Sequence, residues 1–523
     1  MLKEFNLNKK DHYCLIILAV FSIILICNYI NFNLNFGIHC SDVYVYLLNA
    51  LYYTGENIRS TSTIYLSPVI CFLTSIFFFM GFVDKTAIYI VTGAFAIFGN
   101  IGFYILLKRK FNEILSLTGC IIYSSLTLYL TWLANGSLDV PAVSMIIWTV
   151  LFSVIAIKDN NKYYKYAIVF IVLSIFTRYT VLLTFPALIV YYLYEKEFRI
   201  ESDDRKEIAK GIVIGLIIVA ITMVPIVSMG HGSFSASGQI TNGISGMLGS
   251  DTDPAFNPDI SYYVVNFLNF ISNSHTFLDG NPVLENPTPL SWAILGILII
   301  GMSLWTYNHR RKLERKDLIP VAFFLLAIIS FTRISSTVTT IFVLVGLYFM
   351  GKDSENKTEY FMLAWIFSNL IFFSYYTIKV NRYILPIFPA VVYFVLLSVD
   401  TINRNVKINK NIIPLILITL FVIQAFTFTL TFDEAKEFKA VEEISDYIID
   451  NNPDYKNMTI GVYNVRAYNW WLGENLLPIE STAIEKIDSS NATYYISNKP
   501  LDNITNYTEI KSIDKIRIYE KIS

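Results

Sequence analysis

Fourteen apolar runs, each bounded by charged residues or by Gly, Pro and Asn clusters, constrain this chain more than any motif in it. They fall at about 13–32, 64–82, 87–107, 114–132, 141–157, 166–176, 180–194, 211–229, 290–308, 318–332, 337–350, 361–376, 384–400 and 412–432. About 20 apolar residues carry a helix across the hydrocarbon core, so this spacing reads as an all-α polytopic membrane domain. With 54% hydrophobic and 15% charged residues, the chain falls outside both soluble globular enzymes and disordered chains. Its 40 Lys+Arg against 41 Asp+Glu leave no basic excess for nucleic acid. Cys14, Cys27, Cys40, Cys71 and Cys120 sit mostly within apolar runs and form neither a disulfide framework nor a zinc pattern.

Lys and Arg are retained in cytoplasmic loops, which tests how many runs cross. If 64–82 does not cross, the loops on the side of the N-terminus hold 24 basic residues and the opposite loops hold 6. If it crosses, the dense clusters Arg199–Lys210 and Arg310–Lys316 face outward. The charges therefore predict 13 transmembrane helices, a cytoplasmic N-terminus, and a juxtamembrane helix at 64–82 in the first external loop. The competing reading lets 64–82 span and drops 166–176 or 180–194. Lys3, Lys9 and Lys10 precede a first run too long for a signal-peptide core, which reads as an uncleaved anchor. The protein is expected to be integral to the plasma membrane.

The chain divides at about residue 432. Residues 1–432 form the membrane domain. Residues 433–523 carry an amphipathic helical pattern at 433–452, strand-like stretches at 459–463 and 492–497, and alternation over 509–521, the pattern of a small extracytoplasmic α/β domain. Four N-x-[ST] triplets, at Asn457, Asn491, Asn503 and Asn506, fit exposure to a glycosylating surface, although Asn356 carries one on the other face. The loop 230–289 has no Lys or Arg, is too long for a connector, and suggests a lid or an acceptor-binding segment.

No ionisable residue lies in the middle of a span, where ion-coupled transporters keep their relays. The unexplained charges lie at the outer helix ends: Asp42, Asp139, Arg178 and Arg382, all expected at one depth. Arg presents a planar fork that matches phosphate, and a carboxylate can take the proton of an attacking hydroxyl. Each can also be read as an ordinary end-of-helix charge reaching into water.

The arrangement resembles the GT-C glycosyltransferases, specifically the protein O-mannosyltransferase-like family 39 and the aminoarabinose transferases. Asp42, Tyr46, Ala50 and Gly55 resemble the family's first-loop pattern. Leu66-Ser67-Pro68 through Met80-Gly81-Phe82 resembles its juxtamembrane segment. Arg382, Tyr383, Pro386 and Pro389 resemble the Arg-Tyr-x-x-Pro-x-x-Pro that enters its penultimate span, and Asp139 falls on its second acidic position. Two departures leave the acceptor type open: Val43 follows Asp42 where many members have Glu, and Ser67 replaces a Pro.

The resemblance implies a polyprenyl-phosphate-linked sugar donor, such as dolichol phosphate mannose, and transfer on the outer face to a glycan, protein or lipid acceptor. Arg382, aided by Arg178 and Lys379, would then bind the donor phosphate. Asp42 would deprotonate the acceptor hydroxyl, with inversion at the anomeric carbon. Asp139 would support the acceptor or balance the basic cluster, and Tyr44, Tyr46 and Tyr383 are candidate substrate contacts, though ordinary packing accounts for any one of them. No metal site is assigned. His39, His231 and His275 are external and could join carboxylates around a divalent ion, but they lack metal-site spacing. Two other functions fit the composition: a flippase or ligase for lipid-linked glycan, and a membrane-anchored binding module.

Overall fold

The computed structural model describes the chain apart from residues 1–4, 6, 57–67, 198, 200, 229–254, 275–286, 311–314, 332, 407–408, 432–433, 474 and 523. Ten helices build the first half: α1 (Lys9–Phe36), α2 (Ser41–Tyr53), α3 (Pro68–Phe79), α4 (Thr86–Lys108), α5 (Glu113–Ser124), α6 (Thr127–Ala134), α7 (Asp139–Lys158), α8 (Tyr164–Thr177), α9 (Phe185–Lys196) and α10 (Ser202–Ser228). Two short helices, Tyr262–Val265 and Phe267–Ile271, precede the apolar helices Pro289–Asn308, Leu318–Phe331, Ser336–Gly351, Lys357–Tyr375, Phe388–Val406 and Ile412–Thr427.

Among the described residues, seven helices are long and apolar enough to cross a membrane, or eight if α5 and α6, bent by 57° at their junction, count as one span. The 13 crossings expected from the charges exceed this number, because several apolar runs fold as helices of 12–16 residues. The run 64–82 is one of them. Its described helix α3 has 12 residues, a length of about 18 Å at 1.5 Å per residue, short of the roughly 30 Å hydrocarbon core.

Burial sorts the long helices. In α1, α10, Pro289–Asn308 and Ile412–Thr431, between 17% and 33% of the apolar window is buried, and their exposed faces carry Ile, Leu and Val. In Asp139–Lys158 and Asn381–Val406 the share is 94%. These two helices are wrapped by protein on all sides and form the axis of the bundle. Close packing around α7 depends on small residues, as in other apolar helix pairs. A Cβ at Gly99 of α4 would fall 2.2 Å from Ser144 Oγ, and one at Gly102 would fall 2.7 Å from the Trp148 ring.

The C-terminal residues form helix Lys436–Asn451 and a five-stranded sheet of order β2-β1-β3-β5-β4. The strands are β1 (Ile460–Val462), β2 (Leu476–Pro478), β3 (Tyr494–Ser497), β4 (Tyr507–Ile513) and β5 (Ile516–Lys521). β1 pairs in parallel with β2 and β3, whereas β5 runs antiparallel to β3 and β4. The α/β pattern read from the sequence is present here. The alternation over 509–521 is broken into a hairpin, with Asp514 at φ +51° in the turn.

This unit sits directly on the membrane domain. One apolar cluster runs from Tyr44, Leu47 and Leu48 of α2 through Ile70 of α3 to Val441 and Ile444 of Lys436–Asn451. Phe78 meets Trp470 at a ring distance of 5.9 Å, and Tyr44 meets Phe438 at 5.5 Å. At the edge, Lys85 Nζ donates to both carboxylate oxygens of Glu442 at 2.7 and 2.8 Å.

Candidate functional site

Four of the sequence-predicted residues converge on one cluster, and the helix ends explain how. Gly37 ends α1 with φ +87°, a conformation that favours glycine, and the chain turns back to start α2 at Ser41. Asp42 is therefore in the first turn of α2. Asp139 opens α7 in the same way. The unpaired N–H groups of a helix start favour a carboxylate there. Both arginines come from breaks between helices. Arg178 is extended where α8 ends, and Arg382 lies in the 3₁₀ turn Asn381–Ile387 before the central helix Phe388–Val406.

Arg382 bridges the two carboxylates. Its Nη1 donates to Asp42 Oδ2 at 2.7 Å, and its Nε lies 4.0 Å from Asp139 Oδ2. Arg178 Nε lies 2.9 Å from Asp139 Oδ1. Neither Nε–H is aligned with an oxygen, so both are without a hydrogen-bond partner among the described residues. Asp139 also receives a short hydrogen bond from Ser137 Oγ. Tyr383 lies under both guanidinium groups, at 5.9 Å from Arg178 and 6.0 Å from Arg382, and Trp132 faces Arg382 at 5.1 Å.

The two carboxylates differ in their surroundings. The side chain of Asp139 is 4% exposed and serves two arginines, whereas that of Asp42 is 31% exposed and meets one. Burial works against the charged form of Asp42. The charge and hydrogen bond of Arg382, helped by Arg178 and Arg466, outweigh it and hold its carboxyl below the usual carboxylate range. Arg466 comes from the C-terminal unit, at the start of helix Val465–Leu472. Tyr46, one turn after Asp42 in α2, is fully buried, and burial with the nearby Asp42 charge pushes its phenol up.

Lys379 does not join the cluster. Its Nζ donates to the carbonyls of Phe373 and Ser374 at 2.9 and 2.7 Å, capping the last turn of Lys357–Tyr375, and lies 5.5 Å above the Tyr263 ring. Burial pushes its ammonium down to about 8. Tyr44 also points elsewhere, into the apolar contact with Phe438. Buried His39 has Nδ1 3.1 Å from the Gly37 carbonyl and stacks on Phe32, while His231 and His275 lie outside the described residues. Among the described residues no three His, Cys, Asp or Glu side chains group as metal ligands. The lid expected at 230–289 falls largely outside the described residues. Its described part, 255–274, packs on the loop before Arg382: Lys379 N–H donates to the Ala255 carbonyl at 2.9 Å, and Tyr262 Oη donates to Asn381 Oδ1 at 2.8 Å.

Ser137, Trp132, Asn381 and Arg466 escaped the sequence reading. Ser137 and Asn381 are close in sequence to Asp139 and Arg382, which is the one signal that pointed to them.

Residues 66–224 match the family model described as dolichyl-phosphate-mannose-protein mannosyltransferase. The ArnT structure from Cupriavidus metallidurans bound to undecaprenyl phosphate superposes with a TM-score of 0.64 at 10% identity, covering 97% of this chain and 98% of that one. ArnT in its apo state gives 0.57 at 11% identity, covering 92% and 93%. The oligosaccharyltransferase AglB from Archaeoglobus fulgidus, in complex with an inhibitory peptide and a dolichol-phosphate, gives 0.48 at 11%, covering 93% and 69%. No curated protein matches the sequence. The chain has the fold of ArnT, residues 66–224 match the mannosyltransferase family model, and the resemblance to GT-C glycosyltransferases of the protein O-mannosyltransferase and ArnT type is borne out.

Proposed function

We propose that this protein is a glycosyltransferase that moves a sugar from a polyprenyl-phosphate donor to an acceptor hydroxyl on the outer face of the membrane, with inversion. The observation that carries this reading is the bridge of Arg382 between Asp42 and Asp139, with Arg382 and Asp139 at the starts of the two most buried helices. The lipid seen on ArnT, undecaprenyl phosphate, supports a donor of the same chemistry. Three guanidinium groups, Arg178, Arg382 and Arg466, act near two carboxylates, and this excess suits a phosphodiester that carries one negative charge and gains a second as it leaves.

Arg382 and Arg178 hold the donor phosphate, using the Nε–H groups that Asp139 leaves unaligned. The bond from the anomeric carbon to the phosphate oxygen breaks, and its electron pair stays on the phosphate, where the guanidinium groups stabilise it. The acceptor oxygen bonds to the opposite face of that carbon and gives its proton to Asp42. When phosphate takes up Arg382, Asp42 loses its counter-charge and its pKa returns toward the ordinary range, so donor binding switches on the base. Asp139 keeps the arginines in place, and Lys379 supports the loop that carries Arg382 rather than binding phosphate.

The N-terminus is cytoplasmic, and the unit beyond residue 432 stands outside the membrane as a separate α/β domain. A radiolabelled polyprenyl-phosphate hexose assayed in membranes tests the reading. Asp42→Asn should nearly abolish transfer while retaining donor binding, and full activity in that variant overturns the role of Asp42 as base.

A further inference from the structure

Besides the charged residues, the site contains buried polar atoms that nothing among the described residues satisfies. Trp132 is 2% exposed, Asn135 is 0% and Asn381 is 1%. Trp132 Nε1, both amide atoms of Asn135 and Asn381 Nδ2 lack hydrogen-bond partners among the described residues. Leaving a buried polar group unpaired costs about 1–3 kcal/mol, so three such residues together need a physical reason.

All three lie close in the chain to members of the Arg382 cluster. The Trp132 ring faces the Arg382 guanidinium at 5.1 Å, and Asn381 immediately precedes Arg382 in the same 3₁₀ turn. Asn135 caps α6 one turn beyond Trp132, and Ser137 N–H folds back to the Trp132 carbonyl at 3.3 Å. That tight turn carries the Asn135 backbone from Trp132 toward Asp139, and both of these flanking residues contact Arg382. The other atom of the Asn381 amide is fixed by Tyr262 Oη, so Nδ2 is oriented and unused. The set is neutral, with three N–H donor groups and one carbonyl acceptor. Phosphate binding asks for charge, which the arginines supply. A row of neutral donors and one acceptor next to them suits a group rich in hydroxyls.

We propose that Trp132, Asn135 and Asn381 form the subsite for the glycosyl group of the donor, recognising its hydroxyls beside the phosphate held by Arg382. This rests on the function proposed above and adds which residues read the sugar.

The test compares two lipids on purified protein in nanodiscs: undecaprenyl phosphate, and the same lipid carrying a hexose. Trp132→Phe keeps the ring against Arg382 and removes the N–H. Asn135→Leu keeps the volume and removes the unpaired amide. Each should weaken binding of the hexose-bearing lipid about two- to twelvefold, the range for one neutral hydrogen bond, and leave binding of the bare lipid phosphate unchanged. In the lipid-free protein, Asn135→Leu should leave thermal stability unchanged or raise it, because it removes an unpaired buried amide. Equal weakening for both lipids, no weakening for either, or a fall in lipid-free stability overturns the sugar subsite. If the wild-type protein binds neither lipid, the donor class itself is wrong, a separate outcome.

Discussion

The same chemical change at the two carboxylates should have opposite consequences. Asp139→Asn removes the charge that compensates Arg178 at 2.9 Å and Arg382 at 4.0 Å, in a side chain that is 4% exposed. Breaking a buried pair by neutralising one partner costs roughly 3–5 kcal/mol. The arginines are each 15% exposed, which lets some solvent relieve them, so about 3 kcal/mol is expected. Asp42→Asn also removes a carboxylate bonded to Arg382, at 2.7 Å, but this one is 31% exposed and leaves Asp139 to balance the arginine. Its cost should stay under about 1 kcal/mol, as for solvent-screened pairs. Thermal unfolding of both variants in one detergent, with donor transfer measured in parallel, separates them. Asp42→Asn should unfold close to the wild type and be inactive, whereas Asp139→Asn should unfold well below it. If Asp139→Asn is as stable as the wild type, or Asp42→Asn is the less stable of the two, the division of labour drawn from their burial is wrong.

Arg382→Ala should reduce turnover by about 10²–10³, the usual loss on removing one donor to a developing charge, and weaken undecaprenyl phosphate binding, read by ligand-induced thermal shift. Lys379→Met should retain phosphate affinity, because its ammonium is engaged by the Phe373 and Ser374 carbonyls; a loss equal to that of Arg382→Ala would return it to the donor site. Lys379 also predicts a pH effect. Its folded pKa, about 8, is below the unfolded reference of 10.5, so the unfolded chain binds more protons between these values. Its contribution to stability should therefore rise as pH increases from 8 to 10, an increment that chemical denaturation should find in the wild type and not in Lys379→Met. Glu442→Gln should loosen the contact between Lys85 and helix Lys436–Asn451 and speed proteolysis of the C-terminal unit at constant membrane-domain stability.

Asp42, Asp139, Arg178 and Arg382 were legible because charge at an apolar helix end is costly enough to stand out, and two of them break the cytoplasmic bias of basic residues in the topology expected from the loop charges. Their pairing was not legible, since Asp42 and Arg382 are 340 residues apart and meet only through the packing of central helices. Lys379 stood out by the same logic that found Arg382: sequence registers a basic residue at a helix end, not that its ammonium caps Lys357–Tyr375. Trp132 and Asn135 were hidden in the apolar run 114–132 and its edge. That run reads as one span, but it bends by 57° between α5 and α6, and the bend delivers its last turn to the site. In the C-terminal unit, alternation located β1, β3 and the β4–β5 segment, while the hairpin turn depended on Asp514 adopting a left-handed backbone, which a polar residue allows without announcing. β2 spans three residues and ends at Pro478, too short for any period to register.

The most direct test of the account follows the label and the lipid together. Purified protein in nanodiscs receives undecaprenyl-phosphate hexose, radiolabelled in the sugar, with an acceptor extract from the native membrane. The account predicts labelled acceptor and free undecaprenyl phosphate in equal amounts, with inverted anomeric configuration in the product and neither species formed by Asp42→Asn. Label that stays on the lipid, or that changes only its side of a bilayer when the protein is placed in sealed vesicles, would contradict it and leave a lipid-glycan flippase as the better description.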